Sequence, residues 1–480
     1  MLKSGCDSES GDRIADRFLH NARKTKFLIN QGGTSMILTL ICWVALIAFI
    51  GLSVKKFMAY GSMPQHGRQD LYPIPLESDE KMHYGGSYME EDKWYEKERH
   101  HNLKGEIVDM QAVMDEDIKA GLLPAGSVIE PWDWAYYAER VRKAKYALDE
   151  EQTKPYFQME NVRQGVFDLT TKLFGLQYEK LSDIPIYHAE VEGFKVMDAD
   201  GSLIGVILTD YFPRETKRGG AWMNNFVNQE VVDGVDIRPV IVNVGNFAKP
   251  VDGKPSLLTL DQVETLFHEY GHALHGLLSQ CVYPTVSCTA GYSEYNEIFS
   301  QINERRAFEP SLLAEYAISD SGEILNADLI SRMKAADNHC SGILTTKLSI
   351  SALVDLKWNL LESTDGVDPE EFERKVCEEI GIPKELVPRH RLAHFKHVFA
   401  GGYTAGYYTY LWAEVLDRHL YSVFEKKGDV WDKELSMKFR KTFLEKGASE
   451  DPMKLFKSFT GDDKPDIEPF FKSRGLEILK

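Results

Sequence analysis

The chain has 480 residues, 43% of them hydrophobic and 27% charged, a globular composition with material for two or three domains or for one large enzyme. Its net charge of −18 and pI near 5.3 argue against a nucleic-acid partner, because such a surface needs a positive field to displace counterions. Six cysteines, Cys6, Cys42, Cys281, Cys288, Cys340 and Cys377, show neither a CxxC pair nor a disulfide framework and fix no redox compartment.

Residues 1–34 mix acidic and basic side chains, end in Gly32-Gly33, and read as a polar N-terminal tail. From Met36 to Val54 run nineteen residues without a charge, closed by Lys55-Lys56. A helix of that length reaches roughly 28 Å, about the thickness of a bilayer's hydrocarbon, so residues 35–56 are expected to form a single transmembrane helix. Arg17, Arg23, Lys24 and Lys26 precede it and Lys55, Lys56 and Arg68 follow, a small excess that places the C-terminal part on the far, extracytoplasmic side. Residues 57–93, rich in Gly, Pro and charges, read as a linker.

From Trp94 the pattern turns helical, over roughly 94–120, then Trp132 to Glu150 and Val162 to Phe174. Ala189 to Tyr211 alternates around Asp198-Ala199-Asp200-Gly201, which predicts a β-hairpin with a Gly-containing turn. A calcium loop is disfavoured, because the D-x-D-x-D-G order and the closing Glu are missing. Lys217 to Met223 (KRGGAWM) and Pro239 to Phe247 (PVIVNVGNF) each admit two readings: a run that pairs with an extended peptide, or a plain turn and core strand. After Asn296 the chain reads as nearly all helical, without repeats.

Thr259 to Gln280 is the informative stretch. Thr259 with Gln262 forms a capping-box start, and Val263, Phe267, Leu274, Leu277 and Leu278 recur at helical spacing. His268 and His272 therefore leave one face of a helix, four residues apart, and can reach one metal ion, with Glu269 beside them as general base. The pattern HEYGH is the zinc-peptidase signature, and a catalytic zinc takes three protein ligands and keeps a fourth position open. Glu294 and Glu297 are both available as the third ligand. Glu297 is preferred because Gln301 and Glu304 follow it four and seven residues on, near the same face.

Five ordered segments carry a resemblance: PWDWAYYAERVRKAKYALDE (131–150), DYFPRETKRGGAWM (210–223), FHEYGHALHGLLS (267–279), NEIFSQINE (296–304) and HVFAGGYTAGYYTYLWAEV (397–415). From about Trp94 onward the chain resembles the thimet oligopeptidase, oligopeptidase A and bacterial peptidyl-dipeptidase family of zinc peptidases. The resemblance implies a mainly α, zincin-like catalytic domain over 94–480 with a small β element beside the motif helix. It also implies one Zn2+ per chain on His268, His272 and Glu297, and short peptides as substrates. Tyr403, Tyr407 and Tyr410 stand at i, i+4 and i+7 and are expected on one helix face after Gly401-Gly402. The family uses tyrosines of this segment on the reaction intermediate, which carries over to Tyr403 and Tyr410, less directly to Tyr407, and to His397 as a further candidate. Glu304 is expected to steer a ligand histidine, and His275 to pack or to hydrogen-bond. A second metal site on His390, His394 and His397 lacks a carboxylate at a fitting offset.

Family members are typically longer and mostly soluble and cytoplasmic, with a helical N-terminal region walling a channel; here the tail, span and linker stand in that place. Between His272 and Glu297 this chain has CTAGYSEYNEIFS where a G-T-x-x-x-R-D-F-like segment is common. The leading expectation is a membrane-tethered zinc oligopeptidase or peptidyl-dipeptidase, and the alternative is a catalytically inactive, membrane-anchored peptide-binding or scaffold protein. The sequence does not fix the oligomeric state.

Overall fold

Helices form where periodicity and a start signal coincide. In the computed structural model, which describes residues 92–475, the helices of ten residues or more run in chain order as α1 (Asp92–Lys119), α2 (Trp134–Tyr146), α3 (Met159–Phe174), α4 (Leu260–Leu277) and α5 (Ser293–Ala307). They continue as α6 (Ala327–Ala336), α7 (Ser341–Trp358), α8 (Pro369–Glu379), α9 (Thr409–Lys427) and α10 (Lys433–Thr442). The capping box of α4 is complete: Gln262 N donates to Thr259 Oγ1 at 3.2 Å and Thr259 N donates to Gln262 Oε1 at 3.0 Å. Asn326, Asp368 and Asp432 cap α6, α8 and α10 by accepting from the third helical amide, which satisfies a donor that the helix itself leaves free.

Seven strands follow α3: β1 (Gln177–Leu181), β2 (Glu192–Met197), β3 (Leu203–Asp210), β4 (Trp222–Val227), β5 (Glu230–Val232), β6 (Val235–Ile237) and β7 (Val240–Val244). Five make one sheet in the order β1-β2-β3-β7-β4. Only β3 and β7 are parallel, with Val206 opposite Val240 and Asp210 opposite Val244. The expected hairpin is β2–β3, and Gly201 at φ 85° makes its turn. Asp198 in that turn is held by Arg440, so its carboxylate serves an ion pair and not a calcium loop. The two uncertain runs separate here. PVIVNVGNF is an interior strand, paired on both edges, whereas KRGGAWM leads into β4, the sheet's edge. The short β5–β6 hairpin turns at Asp233 and Gly234, both at positive φ, as a type I′ turn requires.

The sheet packs on α4, which also lies against α3 and α5. Val263, Leu266, Phe267, Tyr270, Ala273, Leu274 and Leu277 of α4 are all buried, in a cluster shared with Phe194, Val196, Ile207, Ile241, Phe299 and Phe443. At Gly271 the backbones of α4 and α5 nearly touch: a Cβ there would sit 2.3 Å from the Phe299 carbonyl oxygen and 2.6 Å from Ser300 Cα. Only glycine tolerates that approach. Asn303 Nδ2 ties the crossing further by donating to Phe267 O at 2.6 Å. On its other side α5 meets α9, where Arg305 donates to both carboxylate oxygens of buried Asp417 at 3.1 Å. A separate cluster joins Leu348, Ala352 and Leu356 of α7 to Phe395, Tyr407, Tyr408 and Leu411.

The described part is thus mainly helical with a small sheet, and after Asn296 it holds no strand longer than an isolated bridge between Ile318 and Ile324. The expected tail, the span at residues 35–56 and nearly all of the 57–93 linker lie outside the described residues; α1 starts at Asp92, just inside the linker's end. Among the described residues no helix is long and apolar enough to cross a membrane.

Candidate metal centre

The α4–α5 crossing presents three donors to one point. Helix periodicity puts His268 and His272 on one face of α4, and Glu297, in the second turn of α5, reaches across to both. Its Oε2 lies 3.4 Å from His268 Nε2 and 3.4 Å from His272 Nε2. The donor atoms of these three residues all fall within 4.8 Å of one another, and they form the one such group among the described residues. Glu294, one turn earlier, instead accepts from the Tyr408 hydroxyl at 3.4 Å. The second set, His390, His394 and His397, is not assembled: the His390 and His397 rings meet tilted at 47° with centroids 4.7 Å apart, while His394 is exposed.

Charge distribution follows from burial and proximity. Burial opposes an imidazolium at His268, but the carboxylates of Glu297 and Glu304 outweigh it and raise its pKa well above the usual range. Burial likewise opposes ionisation of Glu297, and the charges and hydrogen bonds of His272 and His268 win, holding it well below the ordinary carboxylate range. The Glu304 Oε1 to His268 Nδ1 distance is 2.5 Å. This engages one ring nitrogen of His268 and leaves Nε2 directed at Glu297, which is how metal-binding histidines are oriented. Two imidazoles, one carboxylate and a held tautomer match a catalytic zinc donor set.

Glu269 lies between the two histidines in sequence, is buried, and its Oε2 has no hydrogen-bond partner. Burial pushes its carboxyl up, and the nearby histidine charges only partly offset this. A buried carboxylate oxygen without a partner is costly, and here the carboxyl feels the charges of His268, His272 and Glu297.

The tyrosines converge differently from the expected helix face. Only Tyr410 lies on α9; Tyr403 and Tyr407 belong to the turns before it, because Gly402 and Ala405, at φ 87° and 54°, break the helical path. The Tyr403 hydroxyl donates to Glu297 Oε1 at 2.8 Å, and the Tyr410 ring stacks on it with centroids 5.5 Å apart. Burial, then the Glu297 charge, raises both phenol pKa values. His397 meets both rings edge-on at 6.1 and 6.2 Å, one ring removed from the donor cluster. Tyr407 is buried among Phe395, His390 and His397. His275 packs as expected between Phe299 and Tyr295, and burial pushes its pKa down to about 3.

Two supporting groups carry no sequence signal of this kind. The Tyr270 hydroxyl donates to the Tyr178 hydroxyl at 2.7 Å, fastening α4 to β1. Asp210, at the end of β3, binds Arg214, Lys217 and the Tyr187 hydroxyl together and so straps the loop that leads into β4. Arg214 and Lys217 follow Asp210 by four and seven residues, whereas Tyr187 and the Tyr178–Tyr270 pair are joined only by the fold.

A two-histidine helix, a glutamate from a second helix and a buried glutamate inside the motif together define the HExxH class of metallopeptidase centres. The chain belongs to peptidase family M3, whose model matches residues 95–476. It is 41% identical to the dipeptidyl carboxypeptidase of Salmonella typhimurium over 377 residues, covering 78% of this chain and 54% of that protein. Oligopeptidase A of Escherichia coli is 35% identical over 359 residues, 73% of this chain and 52% of its own length. The organellar oligopeptidase A of Arabidopsis thaliana is 34% identical over 388 residues, 76% and 48% respectively. The chain spans about half the length of these curated relatives.

Proposed function

We propose that this chain is a zinc-dependent peptidase that hydrolyses peptide bonds in oligopeptides, of the oligopeptidase or peptidyl-dipeptidase type. The observation that carries this reading is Glu297 Oε2 standing 3.4 Å from both imidazole Nε2 atoms, with Glu269 Oε2 buried without a partner inside the same motif. Zinc on His268, His272 and Glu297 would supply a Lewis acid that polarises the scissile carbonyl and lowers the pKa of water at the site. Glu269 takes the proton of the attacking water and hands it to the leaving amine. Its raised pKa suits a group that must keep that proton between the two transfers. Tyr410 donates to the oxyanion of the tetrahedral intermediate, and Tyr403 joins it by turning its hydroxyl away from Glu297. His397 steadies the stacked pair edge-on. An extended peptide pairs with the free edge of β4, which borders α4.

Incubating the purified zinc form with a mixed-length peptide library, with and without chelator, and reading the cut sites by mass spectrometry tests this. Chelator-sensitive cleavage is expected, and peptide binding without cleavage would assign the inert scaffold role instead. The domain reading is also proposed as it stands: tail 1–34, span 35–56, linker 57–93 and catalytic region 94–480. Retention of the full chain in carbonate-washed membranes tests the span, and its release into the wash would refute it.

A further inference from the structure

The segment from Gly401 to Tyr408 connects the helix Lys396–Ala400 to α9 and carries Tyr403. It is not held by regular structure. Ala405 sits at φ 54°, a left-handed conformation that a residue with a Cβ disfavours, so its surroundings must hold it there. The holding group comes from α7. Asp355 Oδ1 accepts from Ala405 N at 3.0 Å and its Oδ2 from Tyr407 N at 3.0 Å, while Asn359 Nδ2 adds a third donor at 2.9 Å. Asp355 is fully buried. No Lys or Arg pairs with it among the described residues, so N–H groups alone face its carboxylate, and each such bond is charge-assisted. Thr404 Oγ1 to Val398 O at 2.6 Å and Tyr403 N to His397 O at 3.0 Å close the loop from behind. Its far end is the Tyr403 hydroxyl on Glu297.

We propose that Asp355 is a positioning residue for the reaction: by clamping the backbone of Ala405 and Tyr407 it sets where the stacked Tyr403 and Tyr410 hydroxyls stand relative to Glu297. The assignment rests on the peptidase reading above. A carboxylate suits the task because its two oxygens accept from two amides that point the same way, whereas a carboxamide must turn its NH2 towards one of them. The polar contacts it makes are with the loop and with its own helix, so its effect on chemistry runs through the tyrosines.

Asp355→Asn in the full zinc-loaded chain tests the clamp with two readouts. Hydrogen exchange of the Ala405 and Tyr407 amides is expected to rise about tenfold or more, as a local opening no longer breaks bonds to a carboxylate. The kcat for a cleaved peptide is expected to fall on the order of 10- to 100-fold, as a misplacement near 1 Å does, with KM within about threefold and zinc content near one per chain. In a Tyr403→Phe background the same change should cost less than it does alone, because part of its effect runs through the hydroxyl already removed. Asn359→Ala strips one donor while keeping the charge; it should give the same exchange pattern at smaller amplitude. Unchanged exchange in these variants overturns the clamp, and so does a kcat loss that adds fully to that of Tyr403→Phe or that follows lost zinc. Should the unmodified chain cleave no peptide, the peptidase reading fails, and the exchange data still judge the clamp.

Discussion

Glu304 offers the most direct test of how the centre is held. Its carboxylate stands 2.5 Å from His268 Nδ1, with the side chains 14% and 19% exposed, so solvent screens the pair only weakly. Glu304→Gln keeps an oxygen that can accept from Nδ1–H and preserves the tautomer; what it removes is the charge that makes Nε2 a stronger donor to a metal. Partners of this kind are worth about 10- to 100-fold in metal affinity, or roughly 1.4–2.8 kcal/mol. Glu304→Ala also frees the ring to rotate and should fall at the upper end of that range. The assay is a competition titration of zinc against a chromophoric chelator at fixed pH, with peptide cleavage followed in parallel under saturating zinc. Unchanged zinc affinity in both variants would refute the orientation argument. A loss beyond about 10⁴-fold would mean that Glu304 is itself a ligand, and the assignment of Glu297 would then need revision.

Glu269→Gln is expected to abolish peptide cleavage while zinc content stays near one per chain by atomic emission; retained turnover removes the general-base role. Glu297→Ala should strip the metal and Glu294→Ala should not, since Glu294 is occupied by Tyr408; the reverse result would move the third ligand. Tyr410→Phe should lower kcat by about 10²–10³ with little change in KM, as losing an oxyanion donor does. Asp210 concerns stability. Burial opposes its ionisation, yet Arg214, Lys217 and Tyr187 bring its pKa down to about 2, below its unfolded value. The stability this contributes, about 2 kcal/mol, is fully present above pH 4 and is lost as pH falls through 2. Urea unfolding of the wild type and Asp210→Asn at pH 7 and pH 3 should show the gap between them narrowing at the lower pH, and a constant gap would rule out the ion cluster as its source.

Local rules carried the reading of the motif helix because its start, its face and its ligands lie within a single periodic stretch: Thr259, Gln262, His268 and His272 all behave in the fold as their spacing requires. Glu297 was legible for the same reason, one helix later, and Glu304 followed from it. The Tyr403–Tyr410 segment was misjudged because spacing assumes a continuous helix, and a buried carboxylate forty-eight residues upstream of Tyr403, Asp355, offers its backbone a different set of partners. The sheet was under-read in a comparable way. β1 is too short and polar to announce itself, and the β5–β6 strands flanking Asp233-Gly234 are three residues each, too short to show alternation. Strand order, and with it the fate of the two glycine- and valine-rich runs, depends on a parallel β3–β7 pairing that no local pattern specifies.

The touching backbones at Gly271 have a bearing on divergence. Because the spacing between the two ligand-bearing helices is set where they cross, the connector at 278–292 does not have to measure it. That stretch is anchored on its own account, with Cys281 N donating to Gln229 Oε1 at 2.6 Å and Gln280 N to Glu445 O at 2.9 Å. Changes at its exposed positions, such as Val282 and Tyr283, can therefore accumulate while the crossing keeps the three donors in place.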